Sequence, residues 1–558
     1  NPGGRYYRNI RGALFRLALE KKKTGLNDLY LFSNFLYGNS QPLPHKGRSW
    51  PKAIFRNAFM TAKTLMIQGT GSGVGKSLLT AAFCRYFYQA GYKVAPFKAQ
   101  NMALNSFVTE RGEEMGRAQA YQAEACGLKP EVAMNPILLK PSGDNNSQVI
   151  LMGKSNGTRN AKNYYAQYQK HQQIVLSALE EMKNKFDLII IEGAGSPAEI
   201  NLKKTDLVNM FIAEKADAPV LLVGDIDRGG VFAWLKGTYD LLNESEQNRV
   251  MGFIINKFRG DVELLQPGIE QFENMVGKPV LGVVPYFKDM VIDEEDSIPQ
   301  RFYSAEKNTK EILDIAVIEL PRISNFTDLS PLAHDPSISL RYVRHPAQMG
   351  SPDLIIIPGS KNTVDDMVFL NQQCLTREIL KCHQAGTMIL GICGGFQMLG
   401  KKINDPENLE SLENKVEGLG LFDFETTLGA EKLTRQIQLE TVKSRVFPEG
   451  IQCEGYEIHM GRTTFRSSYP ALFSASNGDN PMSFGVINLA GTVLGTYLHG
   501  FFDKDLFREN ILRYIRSEKG LPEPQTSFDY SQFRTRELDR LADLIKTSIN
   551  MEAIEREL

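Results

Sequence analysis

Short, continuous apolar runs recur along the chain, and each ends at a small or polar residue before a helix-like stretch. Runs of this kind predict strands buried on both faces, as in a parallel sheet with crossover helices. The first half contains the runs Thr64–Gln68, Lys93–Pro96, Asp187–Ile191, Pro219–Val223, Met251–Ile255 and Val280–Val284. The second half contains the runs Ile315–Leu320, Asp353–Pro358, Thr387–Ile392 and Val493–Tyr497. The pattern therefore predicts an α/β protein with two parallel-sheet domains.

Changes in this pattern predict the domain boundaries. The first α/β domain is expected at residues 60–290 and the second at 311–516, joined by a charged, irregular linker at 291–310. An amphipathic sequence at 517–558 predicts a C-terminal helical tail. Residues 1–59 form a basic extension with eleven lysines and arginines and only two acidic residues. Such an asymmetry can mark an arm for nucleic acid or membranes; we interpret it as an appended leader, or the tail of a fused upstream domain, of unknown role.

Composition narrows the class of protein. Apolar residues make up 42% of the chain and charged residues 23%, which is ordinary for a soluble globular protein. The six cysteines include no C-x-x-C pair, which fits free thiols in a reducing cytoplasm. No run approaches the ~18 apolar residues that a membrane span needs. We therefore expect a cytoplasmic protein with no membrane span.

The segment GTGSGVGKS lies between the first predicted strand and its helix, where a phosphate-binding loop belongs. Gly69, Thr70 and Gly75 let backbone N–H groups turn toward phosphate oxygens, Lys76 adds a positive charge, and Ser77 offers a hydroxyl to Mg²⁺. Five residues separate the outer glycines where the usual motif has four. This longer form resembles the dethiobiotin synthetase-like ligases. We expect ATP and Mg²⁺ to bind here. The rival class, the partitioning ATPases, would need a lysine at the position of Gly71.

Polar residues follow several of the predicted strands, and ligands bind at the carboxyl ends of such strands. Glu192 is expected to bind the metal together with Ser77. Asn256 and Lys257 suit a nucleotide base. Asp225 and Asp227 serve either the ligand or a helix cap.

A further polar segment contains Lys98, Gln100, Asn101, Asn105, Arg117 and Gln119, followed by Lys140. Amides and cations together suit a substrate with several carboxylates and amides, while a solvated helix face is the alternative.

The sequence LGICGGFQMLG places Cys393 between a predicted strand and a helix, as in a nucleophile elbow. The helix N-terminus stabilises a thiolate, and the N–H of Gly394 is free to bind an oxyanion. We expect a second oxyanion donor at Gly359, in the turn after its own strand. The base is expected at His499, which ends a strand beside a glycine. His459 is a candidate for lining the substrate site of this cysteine.

Together these pieces resemble the cobyric acid synthase family over residues 60–558. The resemblance rests on the segments FKAQNMALNSFVTE, IEGAGSPAEINL, VGDIDRGGVFA, NKFRGD, LPRISNFTD, PGSKNT, GICGGFQMLG and GYEIHMGRT. It implies a dethiobiotin synthetase-like first domain and a class I-type glutaminase second domain, with the nucleophile at Cys393 and the base at His499. It also implies ATP-driven amidation of the b, d, e and g carboxylates of adenosylcobyrinic acid a,c-diamide. Ordinary class I glutaminases carry a glutamate two residues after the base; here that residue is Phe501, which leaves open what orients the imidazole.

Three alternatives share parts of this pattern. One is the sister enzyme that amidates the a and c carboxylates, and another is a synthase acting on lipid II with a separate glutaminase subunit. The third is a P-loop scaffold with an inactive glutaminase-like domain. The expected partners are small molecules (the corrin, glutamine and ATP) and not nucleic acid, and a homo-oligomer is an open possibility.

Overall fold

The computed structural model describes residues 62–142, 146–287, 312–474, 481–524 and 526–558. The basic extension at 1–59 and the linker at 291–310 lie outside the described residues. Residues Thr61–Leu558 group as one unit, so the two α/β domains contact each other directly. Within the described ranges, no helix is both long and apolar enough to cross a bilayer.

The first domain contains twelve of the described strands. They are β1 (Lys63–Gly69), β2 (Val94–Phe97), β3 (Gln100–Met102), β4 (Ser106–Val108), β5 (Glu114–Gly116), β6 (Ile137–Pro141), β7 (Asn146–Leu151), β8 (Lys154–Asn160), β9 (Leu188–Glu192), β10 (Val220–Asp225), β11 (Val250–Phe258) and β12 (Val280–Pro285). Its helices are α1 (Lys76–Gln89), α2 (Arg117–Ala125), α3 (Ala161–Tyr165), α4 (Tyr168–Lys185), α5 (Met210–Ala216), α6 (Val231–Asp240), α7 (Glu244–Arg249) and α8 (Val262–Val276).

Six of these strands form one parallel sheet in the order β12-β11-β10-β1-β9-β2. They correspond to the six apolar runs of the first half, so the prediction of a parallel sheet is confirmed. Strands such as β9 are buried at every position because helices cover both faces of the sheet. The central place of β1 puts the following loop at the middle of the sheet's carboxyl edge. A second, mixed sheet in the order β3-β6-β7-β8 lies beside it and was not predicted.

The second domain contains the other twelve described strands. They are β13 (Leu313–Ile318), β14 (Ile338–Val343), β15 (Leu354–Ile357), β16 (Met388–Ile392), β17 (Lys402–Asn404), β18 (Lys415–Glu417), β19 (Phe424–Thr441), β20 (Gln452–Phe465), β21 (Phe473–Ser474), β22 (Gly485–Ile487), β23 (Val493–Thr496) and β24 (Leu498–His499). The helices that follow in the chain are α9 (Ser330–Ala333), α10 (Thr363–Gln372), α11 (Leu375–Gln384), α12 (Gly394–Met398), α13 (Asp505–Lys519), α14 (Tyr530–Ser548) and α15 (Met551–Glu557).

The core sheet of the second domain has the order β14-β13-β15-β16-β23-β22, and all neighbours except β22 and β23 are parallel. The four predicted apolar runs are all present in it. The long hairpin of β19 and β20 belongs to a separate sheet with β17, β18 and β24. This hairpin reaches the first domain, where Gln436 Nε2 donates to the carbonyl of Val108 at 2.6 Å and Tyr456 Oη donates to that of Ser106 at 3.0 Å.

The C-terminal tail is helical, and it packs on the first domain. Leu541 and Ile545 of α14 share a buried cluster with Phe83 and Phe87 of α1. The backbone also joins the first sheet, since Ile549 forms an antiparallel bridge with Gly282 at its edge. The last described helices therefore pack on the first domain.

Candidate active site

The loop between β1 and α1 forms a cradle at the centre of the first sheet. Lys76 is buried at the base of this loop, and its Nζ donates to the carbonyls of Gly71 at 2.7 Å and Gly195 at 3.0 Å. Thr70 follows Gly69 at the end of β1, and its N–H donates to the carbonyl of Val223 on β10. The loop thus combines exposed backbone, a lysine and a helix N-terminus, which is an anion-binding arrangement.

Gly75, at the N-cap of α1, has a φ of 99°. A Cβ atom there would come within 2.2 Å of Asn256 Nδ2. Asn256 Nδ2 donates to the carbonyl of Val74 at 2.8 Å, and Lys257 Nζ donates to that of Gly73 at 2.6 Å. Both predicted base-binding side chains therefore hold the phosphate loop in this structure.

Glu192, at the end of β9, connects several polar side chains of the first site. Its carboxylate accepts hydrogen bonds from Ser77 Oγ at 2.6 Å, Lys98 Nζ at 2.9 Å and Gln122 Nε2 at 2.6 Å. Burial favours the neutral acid, but the charge of Lys98 and the hydrogen bonds outweigh it and lower the pKa of Glu192. An ionised carboxylate beside the loop serine fits Mg²⁺, which commonly binds one or two carboxylates together with phosphate oxygens. Among the described residues no cluster of three or more histidine, cysteine, aspartate or glutamate side chains forms a metal cage.

The residues predicted to bind substrate divide among three places. Lys98 lies at the phosphate site through its ion pair with Glu192. Inside the first domain, Asn101 Nδ2 donates a hydrogen bond to Gln119 Oε1 at 3.0 Å. Gln100 Oε1 accepts a hydrogen bond from the Tyr164 hydroxyl. Asn105 and Arg117 lie at the domain contact: Asn105 Oδ1 accepts from the N–H of Phe326 at 3.2 Å, and the Arg117 guanidinium is 3.8 Å from Asp503 Oδ2.

Cys393 lies in a strained turn between β16 and α12 of the second domain. Its φ of 51° and ψ of −108° are unusual for a residue with a side chain. The glycines around it are required by packing, since a Cβ at Gly395 would come within 1.9 Å of the carbonyl oxygen of Ile357. The Sγ atom is 3.6 Å from the carbonyl oxygen of Ile458. Strain of this kind is typical of a nucleophile on a sharp strand-to-helix turn, and Cys393 is buried there.

His499 is fully buried beside this cysteine. Its Nδ1 lies 2.6 Å from Asp328 Oδ2, and Asp328 Oδ1 accepts from the N–H of Gly500 at 2.9 Å. Burial opposes charging of the ring, but the charges of Asp328 and Cys393 and hydrogen bonds to both raise the pKa of His499 to about 10. The structure therefore brings Cys393, His499 and Asp328 into one hydrogen-bonded group.

The turn after β15 also borders the site of Cys393 and His499. A Cβ atom at Gly359 would lie 3.4 Å from His499 Cε1, and one at Gly394 would lie 2.9 Å from the N atom of Ser360. Asp366 holds this turn by accepting from Ser360 Oγ at 2.6 Å. Gly359, one predicted oxyanion donor, thus lies beside His499, and Gly394, the other, packs against the turn that contains Ser360.

His459 also lines the cavity at Cys393. Its ring stacks on Tyr497 with a centroid distance of 3.8 Å. Burial and the nearby His499 lower the pKa of His459 to about 4, so the ring is neutral near pH 7. It is a neutral wall of the site and is not positioned as the base.

Comparison with known proteins places these two sites in one family. Residues 65–299 match the CobQ/CobB/MinD/ParA nucleotide binding domain, and residues 314–507 match the CobB/CobQ-like glutamine amidotransferase domain. The chain is 51% identical over 499 residues to a cobyric acid synthase of Dehalococcoides mccartyi, covering 88% of this chain and 98% of that protein. It is 49% identical over 500 residues to that of a Thermoanaerobacter species and 46% over 490 residues to that of Clostridium acetobutylicum, covering 88% of this chain and 98% and 97% of those proteins. The chain belongs to the cobyric acid synthase family.

In this family member, the structure supplies the residue that sequence reasoning missed. Phe501, at the position where ordinary class I glutaminases carry a glutamate, is buried in an aromatic group with Phe502 and Phe507. The orienting acid is instead Asp328, 171 residues before His499 in the chain. It belongs to the segment LPRISNFTD, which carries part of the family resemblance, but nothing in its local sequence marks it as the partner of a distant histidine.

Proposed function

We propose that this protein is an ATP-driven, glutamine-hydrolysing ligase that converts adenosylcobyrinic acid a,c-diamide to adenosylcobyric acid. Its four amidations would fall on the b, d, e and g side-chain carboxylates, in the cytoplasm. The observation that carries the proposal is the coexistence of a phosphate loop at one site and a Cys393–His499–Asp328 group at the other, within one chain of this family. Family membership supports the corrin substrate, and the geometry supports the two chemical steps.

In the second domain, Cys393 would attack the side-chain amide carbon of glutamine. Asp328 holds the His499 ring by its Nδ1, which leaves Nε2, 3.4 Å from Asn325 Nδ2, as the nitrogen that would exchange protons with the reacting atoms. His499 would protonate the departing ammonia, and the backbone N–H groups of Gly394 and Gly359 would bind the oxyanion. Water would then release glutamate from the thioester and restore the thiol.

In the first domain, the γ-phosphoryl group of ATP would be transferred to a corrin carboxylate. A carboxylate does not react with ammonia directly because hydroxide is a poor leaving group, whereas an acyl phosphate loses phosphate readily. Lys76 and the loop backbone would bind the phosphates, and Ser77 and Glu192 would hold Mg²⁺, which neutralises charge on the phosphates when it is bound. Ammonia would then attack the acyl carbon to form the amide.

The substitution Cys393→Ser tests the assignment of the nucleophile. It should abolish glutamine-driven amidation and leave ammonium-driven amidation within about twofold, because the first site is untouched. Cys382→Ser, at a buried cysteine of the same domain that lies outside the site, serves as the control and should keep both activities. Retained use of glutamine by Cys393→Ser would rule out this nucleophile.

Product masses decide between this function and that of the sister enzyme. Purified protein is incubated with the corrin diamide, ATP, Mg²⁺ and glutamine, and carboxyl-to-amide conversions are counted by mass spectrometry. Four successive conversions support the proposal. Two conversions on the corrin acid that carries no amide groups, with none on the diamide, would favour the sister enzyme. Glutaminase activity without any amide product would favour neither ligase.

A further inference from the structure

The loop after β10, residues 226–230, presents an arginine that has no role in the chemistry described above. This residue, Arg228, lies between the end of β10 at Asp225 and the start of α6 at Val231, and 76% of its side chain is exposed. Strands β10 and β1 are parallel neighbours, so the loops that follow them lie side by side at the carboxyl edge of the first sheet. The loop that carries Arg228 is therefore adjacent to the phosphate loop.

The two aspartates on either side of this arginine are bound to other groups. Asp225 Oδ2 accepts from Lys257 Nζ at 2.9 Å, and Asp225 Oδ1 accepts from the N–H of Asp227 at 2.9 Å. Asp227 Oδ1 accepts from Arg259 Nε at 2.7 Å. The sequence left open whether these aspartates bind the ligand or cap a helix. In the structure both pair with cations at or just beyond the end of β11, so neither is held for Arg228.

The guanidinium of Arg228 lies over the phosphate loop with only a long ion pair among the described residues. Its Nε atom is 3.9 Å from Asp225 Oδ2, which is longer than a hydrogen bond. An exposed pair of this kind adds little stability. A Cβ atom at Gly73 would lie 3.8 Å from Arg228 Nη2, so the end of the side chain borders the loop three residues before Lys76.

The other cations described around the phosphate loop are held by protein oxygens. Lys76 Nζ donates to two backbone carbonyls, and Lys98 and Lys257 each pair with a carboxylate that is at most 5% exposed. Withdrawing Lys98 or Lys257 would leave a buried negative charge uncompensated. Among these four cations, Arg228 can therefore exchange its protein contact for an incoming anion with the smallest loss of stability.

The phosphoryl transfer proposed for the first domain brings two anions together. An oxygen of the corrin carboxylate would form a bond to the γ-phosphorus while the bond from that phosphorus to the β-phosphate oxygen breaks, and ADP would leave with the electron pair. Because the attacking group is itself charged, it is repelled by the γ-phosphoryl oxygens, and neutralising those oxygens lowers the barrier. A planar guanidinium suits this task, since it donates two N–H groups to two phosphate oxygens at once.

We propose that Arg228 binds the γ-phosphoryl oxygens of ATP from the open side of the phosphate loop and neutralises them during transfer to the corrin carboxylate. The inference rests on the proposed function and adds a catalytic residue to its phosphoryl-transfer step. The backbone after Arg228 suits this position, because Gly229 and Gly230 have φ values of 77° and 69°. Glycine adopts two such left-handed conformations in succession without strain, so the chain can turn into α6 directly after the arginine.

The test compares Arg228→Met with Arg228→Lys in the full-length enzyme. The measured quantities are kcat for ammonium-driven amidation and, by calorimetry without corrin, the Kd values of ADP and of the β,γ-imido analogue of ATP. We expect Arg228→Met to lower kcat at least about 100-fold, within the range known for arginines that contact a transferred phosphoryl group. The Kd of the analogue should rise at least about fivefold and that of ADP less than about twofold, because only the analogue has a γ-phosphoryl group.

Two comparisons control for charge and for general effects of the substitution. Arg228→Lys keeps the charge without the planar fork and should recover about tenfold or more of the lost kcat. Arg249→Met removes an ion pair with Asp217 at the opposite, amino edge of the first sheet and should change neither kcat nor either Kd. Glutamine hydrolysis should stay within about twofold in all three variants, because the second site is untouched.

Three outcomes would overturn the inference. Equal changes in the Kd values of ADP and the analogue, or no change in either, would show that Arg228 does not contact the γ-phosphoryl group. A higher KM for the corrin with unchanged kcat and nucleotide binding would assign Arg228 to a peripheral corrin carboxylate. A kcat within about threefold of the parent would exclude a catalytic role. Failure of the proposed function is distinguishable, because the unsubstituted enzyme would then form no amide, while the nucleotide titrations need no corrin.

Discussion

The buried contact between Asp328 and His499 allows a quantitative prediction for Asp328→Asn. In the protein the pKa of His499 rises from 6.5 to about 10, against the opposing effect of burial. At ~1.4 kcal/mol for each pKa unit, this favours the imidazolium by on the order of 5 kcal/mol. Asp328 is the foremost group that raises the pKa, ahead of Cys393. An asparagine keeps the shape but removes the charge, and its amide can donate to Nδ1 and so impose the wrong tautomer.

The expected result is a large loss of glutaminase activity with little change at the other site. We expect kcat/KM for glutamine to fall about 10²–10⁴-fold, since loss of the orienting acid removes most of the advantage of the general base. The alkaline limb of the pH profile should move from near pH 10 toward neutrality. Amidation driven by ammonium chloride should stay within about twofold.

The contact between Asp328 and His499 also predicts how the free energy of unfolding changes with pH. Because the folded pKa of His499 is raised, its stabilising contribution is fully present below pH 6.5 and is lost as the pH rises toward 10. Urea unfolding should therefore show a larger deficit for Asp328→Asn at pH 6 than at pH 9.5. Asp423→Asn, which removes one partner of a more exposed ion pair with Lys401, is the control and should have a small effect at both. An Asp328→Asn enzyme within threefold of the parent, with the same alkaline limb, would refute the role given to this acid.

Two further substitutions test the roles of Glu192 at the phosphate site and of Asp366 at the turn after β15. Glu192→Gln should reduce ammonium-driven amidation at least 100-fold and lower the free energy of unfolding by about 3–5 kcal/mol, because Lys98 would lose its buried partner. Asp227→Asn, in an exposed pair with Arg259, should cost no more than ~1 kcal/mol, and similar values in urea titrations of the two variants would contradict this. Burial raises the pKa of Asp366 to about 7, so its contribution to stability falls as the pH rises from about 4 to about 7. Asp366→Asn should remove up to ~4 kcal/mol of that pH dependence. If the free energy of unfolding of the variant changed with pH between 5 and 8 as much as that of the parent, the raised pKa of Asp366 would be contradicted.

The parallel sheets could be predicted from the sequence because their strands are apolar at nearly every position. Leu188–Glu192 is fully buried and reads as one apolar run that ends in an acid. Strand β8, Lys154–Asn160, has no buried position, so its hydrogen bonding to β7 left no pattern to detect. The long β19–β20 hairpin was missed for a related reason, since its middle alternates irregularly where the register shifts between Thr427 and Lys432.

The candidate site was predictable only where chemistry and local geometry coincide in one short segment. The phosphate loop and the turn at Cys393 are such segments, because glycine spacing and strand–helix context lie in adjacent residues. The sequence predicts Lys98 as a substrate-binding residue, and in the structure it pairs with Glu192 at the phosphate site, a contact between strand ends that only the fold creates. Asp328 acts on His499 through the three-dimensional arrangement alone, so no spacing rule could have identified it.

The order of strands explains how the acid can come from a distant part of the chain. Strands β13, β15, β16 and β23 are consecutive neighbours in the second sheet. The segments that follow their carboxyl ends bear, in the same order, Asp328, Gly359, Cys393 and His499. Because the carboxyl ends of parallel strands meet at one edge, adjacent strands bring the acid and the proposed oxyanion turn, nucleophile and base to one place whatever the lengths of the connections. The ring nitrogen of the base can thus be oriented from its own strand, as by a glutamate two residues on, or from the loop after β13. In this protein the position two residues after His499 is Phe501, which packs in the core. The carboxylate that contacts His499 is Asp328, in the loop after β13.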